Sequence, residues 1–136
     1  MNDCIFCKII KGEIPSYTVY QDEYCYAFLD IAKDVYGHTL VIPKKHVENL
    51  LDENCDAQTV AHVAQTAQMI AKHYVNNCGF DGADVMCANG ASAEQSVFHL
   101  HFHVIPRKEN DGEKMWNFTS GKDFDLAEMC QKLKVA

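Results

Sequence analysis

The chain has 136 residues, 48% of them hydrophobic, which suits one domain with its own core, and we expect a single domain over residues 1–136. Its formal net charge of -7, from 12 Lys and Arg against 19 Asp and Glu, argues against a general nucleic-acid-binding surface. No apolar run approaches the roughly 18 residues of a membrane span, and no signal-peptide core follows Met1, so neither a membrane partner nor export is expected.

The first half of the chain predicts three short strands after an apolar, cysteine-containing start. Residues 17–20 and 24–30 are aromatic and β-branched enough for two strands, with polar residues between them. Residues 39–42 predict a third, central strand, which Pro43 stops.

The second half predicts one long helix, two strands and a short helix. The long helix runs from about residue 56 to residue 77, where apolar residues recur at spacings of three and four and form one stripe: Val60, Val63, Ala64, Ala67, Ile70, Ala71, Tyr74 and Val75. Residues 83–88 and 99–105 predict two strands, the last ended by Pro106, and residues 123–134 predict a short amphipathic helix. Antiparallel strands with helices on one face make an α+β fold.

Three histidines alternate with apolar residues in the last predicted strand. Side chains of a strand alternate between its faces, so His99, His101 and His103 should share one face, and the residues between them should point to the other. The spacing alone is consistent with an exposed polar face, with chelation of one ion by all three imidazoles, or with catalysis.

Imidazole suits attack at phosphorus. With an ordinary pKa of about 6.5 it is mostly neutral near pH 7, and it can form a covalent intermediate that divides one difficult displacement into two steps. Neighbouring donors can stabilise charge on the phosphate oxygens. The candidate donors on the strand and on the loop before it are Asn89, Gln95, Ser96 and His103.

The sequence QSVFHLHFHVIPR at residues 95–107 resembles the signature of the histidine-triad (HIT) family. Further segments, in the right order, resemble the Hint branch of that family: CIFCKII at 4–10, GEIP at 12–15, AFLDI at 27–31 and GHTLVIPKKH at 37–46. The similarity covers about the first 107 residues. It implies a HIT-like fold, with an antiparallel sheet of about five strands, one long helix and a shorter C-terminal helix.

The resemblance also implies an enzyme, a nucleotide hydrolase or transferase whose catalytic residues are His99, His101 and His103. His101 would attack the α-phosphorus of a purine nucleoside phosphoramidate or a related nucleotide. Water would then release the nucleoside monophosphate from the nucleotidyl-histidine.

The same resemblance implies a nucleotide-binding site. His103 and Ser96 would contact the phosphate, with Asn89 and Gln95 nearby, and Asp30 would accept hydrogen bonds from the ribose hydroxyls. Three apolar residues would surround the base, although they would equally suit an ordinary core: Ile14, Phe28 and Ile31. His38 also matches the pattern, with no role assigned beyond orienting the phosphate site.

The cysteine pair Cys4-x-x-Cys7 is open to three interpretations from spacing alone: a redox pair, part of a metal site, or two buried thiols. The resemblance favours the metal. In zinc-containing relatives, the positions that match Cys4, Cys7, His46 and His99 form a tetrahedral structural zinc site.

The chain departs from the family pattern at three positions and in its C-terminal segment. Lys33 and Tyr36 stand where relatives commonly have prolines, and Glu94 stands where a glycine usually precedes the glutamine. We expect these departures to bear on substrate choice more than on reaction type. From Lys108 onward the match is poor, and Trp116 would line the substrate pocket or cover the core.

Three functions remain open at this stage. The first is a nucleoside phosphoramidase of the Hint type, the second a dinucleoside polyphosphate hydrolase, and the third a nucleotide-binding regulatory module with residual catalysis. The resemblance implies a homodimer. An odd number of scattered cysteines, seven in all, indicates the reducing cytoplasm rather than a secreted scaffold.

Overall fold

The computed structural model describes residues 3–135, and their centre is an antiparallel sheet of five strands in the order β1-β2-β3-β5-β4. The strands are β1 (Thr18–Gln21), β2 (Cys25–Leu29), β3 (Thr39–Pro43), β4 (Gly82–Met86) and β5 (Phe102–Arg107). The helices are α1 (Ile5–Ile10), α2 (Ala57–Asn77) and α3 (Leu126–Leu133). The predicted α+β fold, with its five-stranded sheet, long helix and shorter C-terminal helix, is confirmed.

Helix α2 covers one face of the sheet. It begins where Asp56 caps it, since the Asp56 carboxylate accepts a hydrogen bond from the Thr59 N–H at 2.8 Å. The buried stripe is narrower than predicted, because Ala64 and Val75 are exposed. The core under this helix contains Val63, Ala67, Ile70 and Tyr74 from α2, and Ala27, Val41, Leu100 and Val104 from the sheet side.

Helix α1, in a segment where no helix was predicted, lies on the opposite face, so the helices do not all share one face as expected. Phe6 of α1 is buried and packs edge-on against Phe28 of β2, with ring centroids 5.4 Å apart. A helix of six residues is not stable alone in water, so α1 depends on this packing. Phe6 and Phe28 belong to a second buried cluster, on the face of the sheet away from α2, and this cluster holds the start of the chain against the sheet.

Strand β5 starts and ends later than predicted. It begins at Phe102, because β3 pairs with β5 only up to the Val41–Phe102 register, and it continues through Pro106 to Arg107. Within residues 3–135, β5 has a partner strand only on the β4 side beyond the Thr39–Val104 register, so the missing Pro106 N–H breaks no ladder to β3. His99 and His101 therefore stand just before the strand.

A tight contact fixes the loop that leads into β3. Gly37 has a φ of +76°, and a Cβ there would lie 2.6 Å from Pro106 Cγ. Both the backbone conformation and the space require glycine. Lys33, earlier in the same loop, has a φ of +55°, which proline cannot adopt.

The C-terminal segment packs little. Every residue of α3 is exposed, and Trp116 is 76% exposed with its ring against Phe118, so it neither lines the apolar cavity beside α1 nor covers the core. Among the helices of residues 3–135, none combines the length and apolar character that crossing a membrane requires.

Candidate active site and metal centre

A cavity of about 400 Å³ opens between α1, the end of β2 and the segment before β5. Its wall is mainly apolar, with a few polar groups at one side, which is typical of a small-molecule site. Six of the residues predicted to bind nucleotide line it, together with His101: Ile14, Phe28, Asp30, Ile31, Ser96 and His103.

His101 has one ring nitrogen fixed by the backbone. Its Nδ1 lies 2.7 Å from the carbonyl oxygen of His99, and because a carbonyl only accepts, Nδ1 carries the proton. The lone pair is therefore on Nε2. Burial lowers the pKa of His101 below its ordinary value, so the ring is neutral near pH 7. A neutral imidazole with a free Nε2 can act as a nucleophile.

His103 belongs to a hydrogen-bonded chain of three side chains. Its Nδ1 lies 2.8 Å from Nε2 of His38, and Nδ1 of His38 lies 2.8 Å from a carboxylate oxygen of Asp34. The carboxylate requires the proton on His38 Nδ1. Burial is the main cause that lowers the pKa of His103 to about 4. The hydrogen bond to His38 lowers the pKa of Asp34, which keeps that group ionised.

Asp30 directly follows β2, and its carboxylate contacts two residues of the loop that leads to β3. One oxygen accepts from the Ala32 N–H at 2.8 Å, and the other lies 3.8 Å from Nδ1 of His38. Ile31, next to it, is 79% exposed and stands at the rim of the cavity. Phe28 is buried in the cavity wall, so it serves the core and the cavity together.

Asn89 and Gln95 do not line the cavity, and their amides are engaged by the protein itself. The Gln95 oxygen accepts from the Asn49 side chain and the Gly90 N–H, and its nitrogen donates to the carbonyls of Glu48 and Val97. Asn89 accepts from the Leu50 N–H at 2.8 Å. These two amides brace the loop that presents Ser96.

The four residues predicted to bind metal come together beside the cavity. Candidate ligand atoms of Cys4, Cys7, His46 and His99 all lie within 4.8 Å of one another. Nε2 of His99 lies 2.8 Å from the Pro43 carbonyl, so it carries the proton and Nδ1 presents its lone pair to the cluster.

The donor set fits a tetrahedral metal site. Cys4 Sγ and Cys7 Sγ lie 3.4 and 3.6 Å from Nδ1 of His99, and Nδ1 of His46 lies 3.3 Å from Cys7 Sγ. Two sulfurs and two imidazole nitrogens leave no open position in a four-coordinate site, so an ion held there would be structural. Burial raises the pKa of the Cys7 thiol, so a metal must displace its proton on binding.

Phe6 connects the two centres. It lies between the cysteines in sequence, its ring packs edge-on against His99 at 5.9 Å and His101 at 5.2 Å, and it lines the cavity. Displacing α1 would therefore disturb both the metal cluster and the wall next to His101.

The structure divides the three histidines predicted to share one face. His101 and His103 line the cavity, whereas His99 is fully buried and faces the cysteines. Leu100, Phe102 and Val104 contact the core under α2, so the predicted alternation of faces is confirmed.

Sequence reasoning misses Asp34 and Phe6. Asp34 stands four residues before His38 in an irregular loop, where no periodicity predicts contact. Phe6 is one apolar residue within an apolar segment. Only the folded chain shows what each contacts.

Comparison with known proteins agrees with this arrangement. The family model described as HIT domain matches residues 11–110. An uncharacterized HIT-like protein of Methanocaldococcus jannaschii is 46% identical over 134 residues, which cover 96% of this chain and 98% of that protein. The adenosine 5'-monophosphoramidase HNT1 of Saccharomyces cerevisiae is 43% identical over 106 residues, which cover 78% of this chain and 63% of the yeast protein.

The fold agrees with a solved structure as well. The crystal structure of a zinc-bound histidine triad family protein from Mycobacterium smegmatis superposes with a TM-score of 0.78 at 37% identity and covers 84% of this chain and 81% of that one. From the family match over residues 11–110, the shared fold and the histidine site, the chain belongs to the HIT domain family.

Proposed function

We propose that this protein is a nucleotide hydrolase that acts at the α-phosphorus of purine nucleoside phosphoramidates or related nucleotides. The observation that carries the proposal is the state of His101, a neutral imidazole whose Nδ1–H is held by the His99 carbonyl and whose Nε2 is free beside the cavity. The yeast relative that is named a monophosphoramidase supports the substrate class.

The binding step follows from the cavity lining. The base would lie among Ile14, Phe28 and Ile31, and the ribose hydroxyls would donate to the Asp30 carboxylate. Ser96 and His103 would hold the phosphate oxygens. His99 would take part through its main chain, since its carbonyl orients the nucleophile.

The chemical steps are two displacements at phosphorus. Nε2 of His101 forms a bond to the α-phosphorus, the bond from phosphorus to the leaving nitrogen breaks, and that nitrogen takes up a proton from solvent. The His101 ring is then a cation, which the His99 carbonyl stabilises through the Nδ1–H. Water attacks the phosphorus and releases a proton to solvent, the bond to Nε2 breaks and returns its electron pair to His101, and the nucleoside monophosphate leaves.

Steady-state assays test the substrate class. Adenosine and guanosine phosphoramidates are compared with diadenosine polyphosphates, and the phosphoramidates should have the higher kcat/KM. A preference for the polyphosphates would replace the phosphoramidase assignment, and no turnover of any of them would leave a binding module.

We further propose that Cys4, Cys7, His46 and His99 hold a structural zinc ion. The two thiols, the two imidazoles and the Pro43 carbonyl behind His99 support this assignment, as does the zinc-bound relative. Metal analysis of protein purified without chelators should find one zinc per chain. Protein that stays metal-free after incubation with zinc would contradict it.

We also propose a single-domain homodimer that works in the cytoplasm. β4 is an edge strand with exposed Val85 and Met86, and α2 exposes Met69, so apolar side chains on both elements are available to a second copy. Reducing conditions would keep the thiols of the cluster available for metal. Sedimentation at micromolar concentration should give a dimer, and a fully active monomer would contradict it.

A further inference from the structure

Asp34 lies outside the cavity lining, yet it is the last member of a chain that reaches the cavity. Its carboxylate accepts from His38 Nδ1–H at 2.8 Å, His38 Nε2 lies 2.8 Å from His103 Nδ1, and His103 lines the cavity. Only one proton fits between the two facing nitrogens of His38 and His103. Because the Asp34 carboxylate accepts the proton on His38 Nδ1, it also determines which of the two rings carries the proton between them.

In the neutral pair, the proton between the rings belongs to His103. His38 already carries its proton on Nδ1 because of Asp34, so its Nε2 accepts from His103 Nδ1–H. His103 then has a lone pair on Nε2, which would face the phosphate oxygens and repel them. One more proton, taken from solvent, turns this Nε2 into an N–H donor.

Resting on the proposed function, we propose that Asp34 is a positioning residue: through His38 it makes His103 take up a proton when a phosphate group enters the cavity. The proton binds to His103 Nε2, and the added positive charge lies between the phosphate and the Asp34 carboxylate. The pair thus becomes a charge-assisted donor only in the presence of an anion.

The other charged and titratable groups around the pair are Asp30 and His101 on the side of His103, and Lys33 and Tyr36, which share a second cavity with Asp30 and His38. Asp30 is a weaker candidate for the same role, because its nearer oxygen is 3.8 Å from His38 Nδ1 and its other oxygen accepts from Ala32. His101 lies beside His103 with ring centroids 5.0 Å apart and adds no negative charge. Burial keeps the His103 pKa near 4 in the nucleotide-free protein, which agrees with a neutral His103 at pH 7.

Asp34 acts through a hydrogen bond rather than through its charge at a distance. Its side chain is 57% exposed, so solvent screens the carboxylate strongly, whereas His38 is buried. The oxygen that accepts from His38 also accepts from the Val35 N–H at 2.9 Å, so an amide would keep an oxygen at this position and preserve the proton arrangement. Alanine instead removes the acceptor, so His38 Nδ1 no longer has to carry the proton. His38 can then donate from Nε2, and His103 presents an N–H without any added proton.

The experiment measures proton uptake when AMP binds to the protein, by calorimetry at pH 7 to 8 in buffers of different ionisation enthalpy. The parent should take up roughly half a proton or more per site, and its affinity should fall as the pH rises. Asp34→Ala should take up markedly less, with an affinity that depends far less on pH. Asp123→Ala, which removes the same charge without a hydrogen bond in residues 3–135, should behave as the parent does.

A double variant tests whether the effect passes through His38. In a His38→Gln background, Asp34→Ala should change neither proton uptake nor kcat further, because the chain is already broken. Equal uptake in the parent and Asp34→Ala, or full additivity with His38→Gln, overturns the proposal while nucleotide hydrolysis stands. A parent that neither binds AMP nor hydrolyses nucleotides overturns the proposed function, and this proposal with it.

Discussion

His99 and His103 stand at equal distances along the chain from His101, yet they tie it to different parts of the molecule. His99 turns its ring to two cysteines and to His46, and gives His101 only a backbone carbonyl. His103 turns its ring to His38 and Asp34 and lines the cavity. A shared face therefore does not mean a shared task, because the neighbours of each ring decide its chemistry.

The largest effect is expected at His101, which lies between His99 and His103. His101→Asn removes Nε2, so turnover should fall by roughly three orders of magnitude or more, while AMP still binds. Rapid quenching of the parent with a phosphoramidate should trap a nucleotidyl group on His101. His73→Asn, at an exposed position on α2, is the control and should keep parental turnover. Near-parental hydrolysis in His101→Asn would remove the assignment.

Changing the cluster around His99 should lower the stability of the fold more than the rate of the chemical step. Replacing both Cys4 and Cys7 with Ser should abolish zinc binding and lower the melting temperature by on the order of 10 °C, because the ion binds only the folded cluster. KM should rise more than kcat falls, since Phe6 lines the cavity but does not react.

The matched control for that change is Cys78→Ser, at an exposed thiol away from the cluster, which should keep the zinc and the melting temperature. A double variant that still carries one zinc per chain, measured by mass spectrometry, would show that the four residues are not the ligands.

The hydrogen-bonded pair of His38 and His103 can be disturbed by a backbone substitution in the loop before His38. Gly37→Ala introduces a Cβ at a φ of +76° and 2.6 Å from Pro106 Cγ, so the loop before His38 must move. We expect about 2 kcal/mol less stability than in Gly79→Ala and a lower kcat. Gly79 has a φ of +83° with no atom near an added Cβ, so the difference isolates the contact with Pro106. Equal unfolding free energies of the two variants in urea would refute this reading.

Acid should lower the free energy of unfolding, because the unfolded chain binds a proton at His103 more readily than the folded protein does. The His103 pKa is about 4 in the folded protein against about 6.5 when unfolded, so the unfolded chain binds more protons between these values. The free energy of unfolding should fall as the pH drops from about 6.5 to about 4 and should level off below. His103→Gln should reduce this dependence, as urea titrations across the range can show; an unchanged slope would count against a buried neutral His103.

The smallest effect is expected in the loop before His99. Glu94 has a φ of +70°, so Glu94→Gly should raise stability by up to about 1 kcal/mol, partly offset by the flexibility of glycine in the unfolded chain. Glu94→Gln keeps the strained backbone and removes the charge, so it should leave stability unchanged. Lower KM for diadenosine polyphosphates in both variants would indicate that the carboxylate disfavours highly charged substrates, and lower KM in Glu94→Gly alone would point to the backbone.

The strands and the long helix could be predicted because their signals are local. Residues 39–42 are apolar and β-branched, and α2 has a stripe at helical spacing between an aspartate cap and a glycine, so each pattern corresponds to one element. The ends of β5 depended on its neighbours instead. Whether Pro106 ends the strand is decided by the absence of a partner on the β3 side, which residues 99–107 alone do not show.

The candidate site was predictable where the motif itself supplies the contacts, and not where loops bring residues together. The metal set and the cavity residues came from the resemblance, and the structure places them near one another. Gln95 differs: its position was expected near the phosphate, but burial and four hydrogen bonds direct its amide into the protein. Lys33 explains one departure, because a φ of +55° excludes the proline expected there.

The hydrogen bond between His101 Nδ1 and the carbonyl of His99 has a consequence for substitutions at these two positions. Every amino acid has a main-chain carbonyl, so a mutation that replaces the His99 side chain leaves this acceptor in place. A change of the buried His99 side chain would therefore cost stability and the proposed metal site, but it would leave the protonation of His101 intact. A change of the His101 side chain would remove the proposed nucleophile itself.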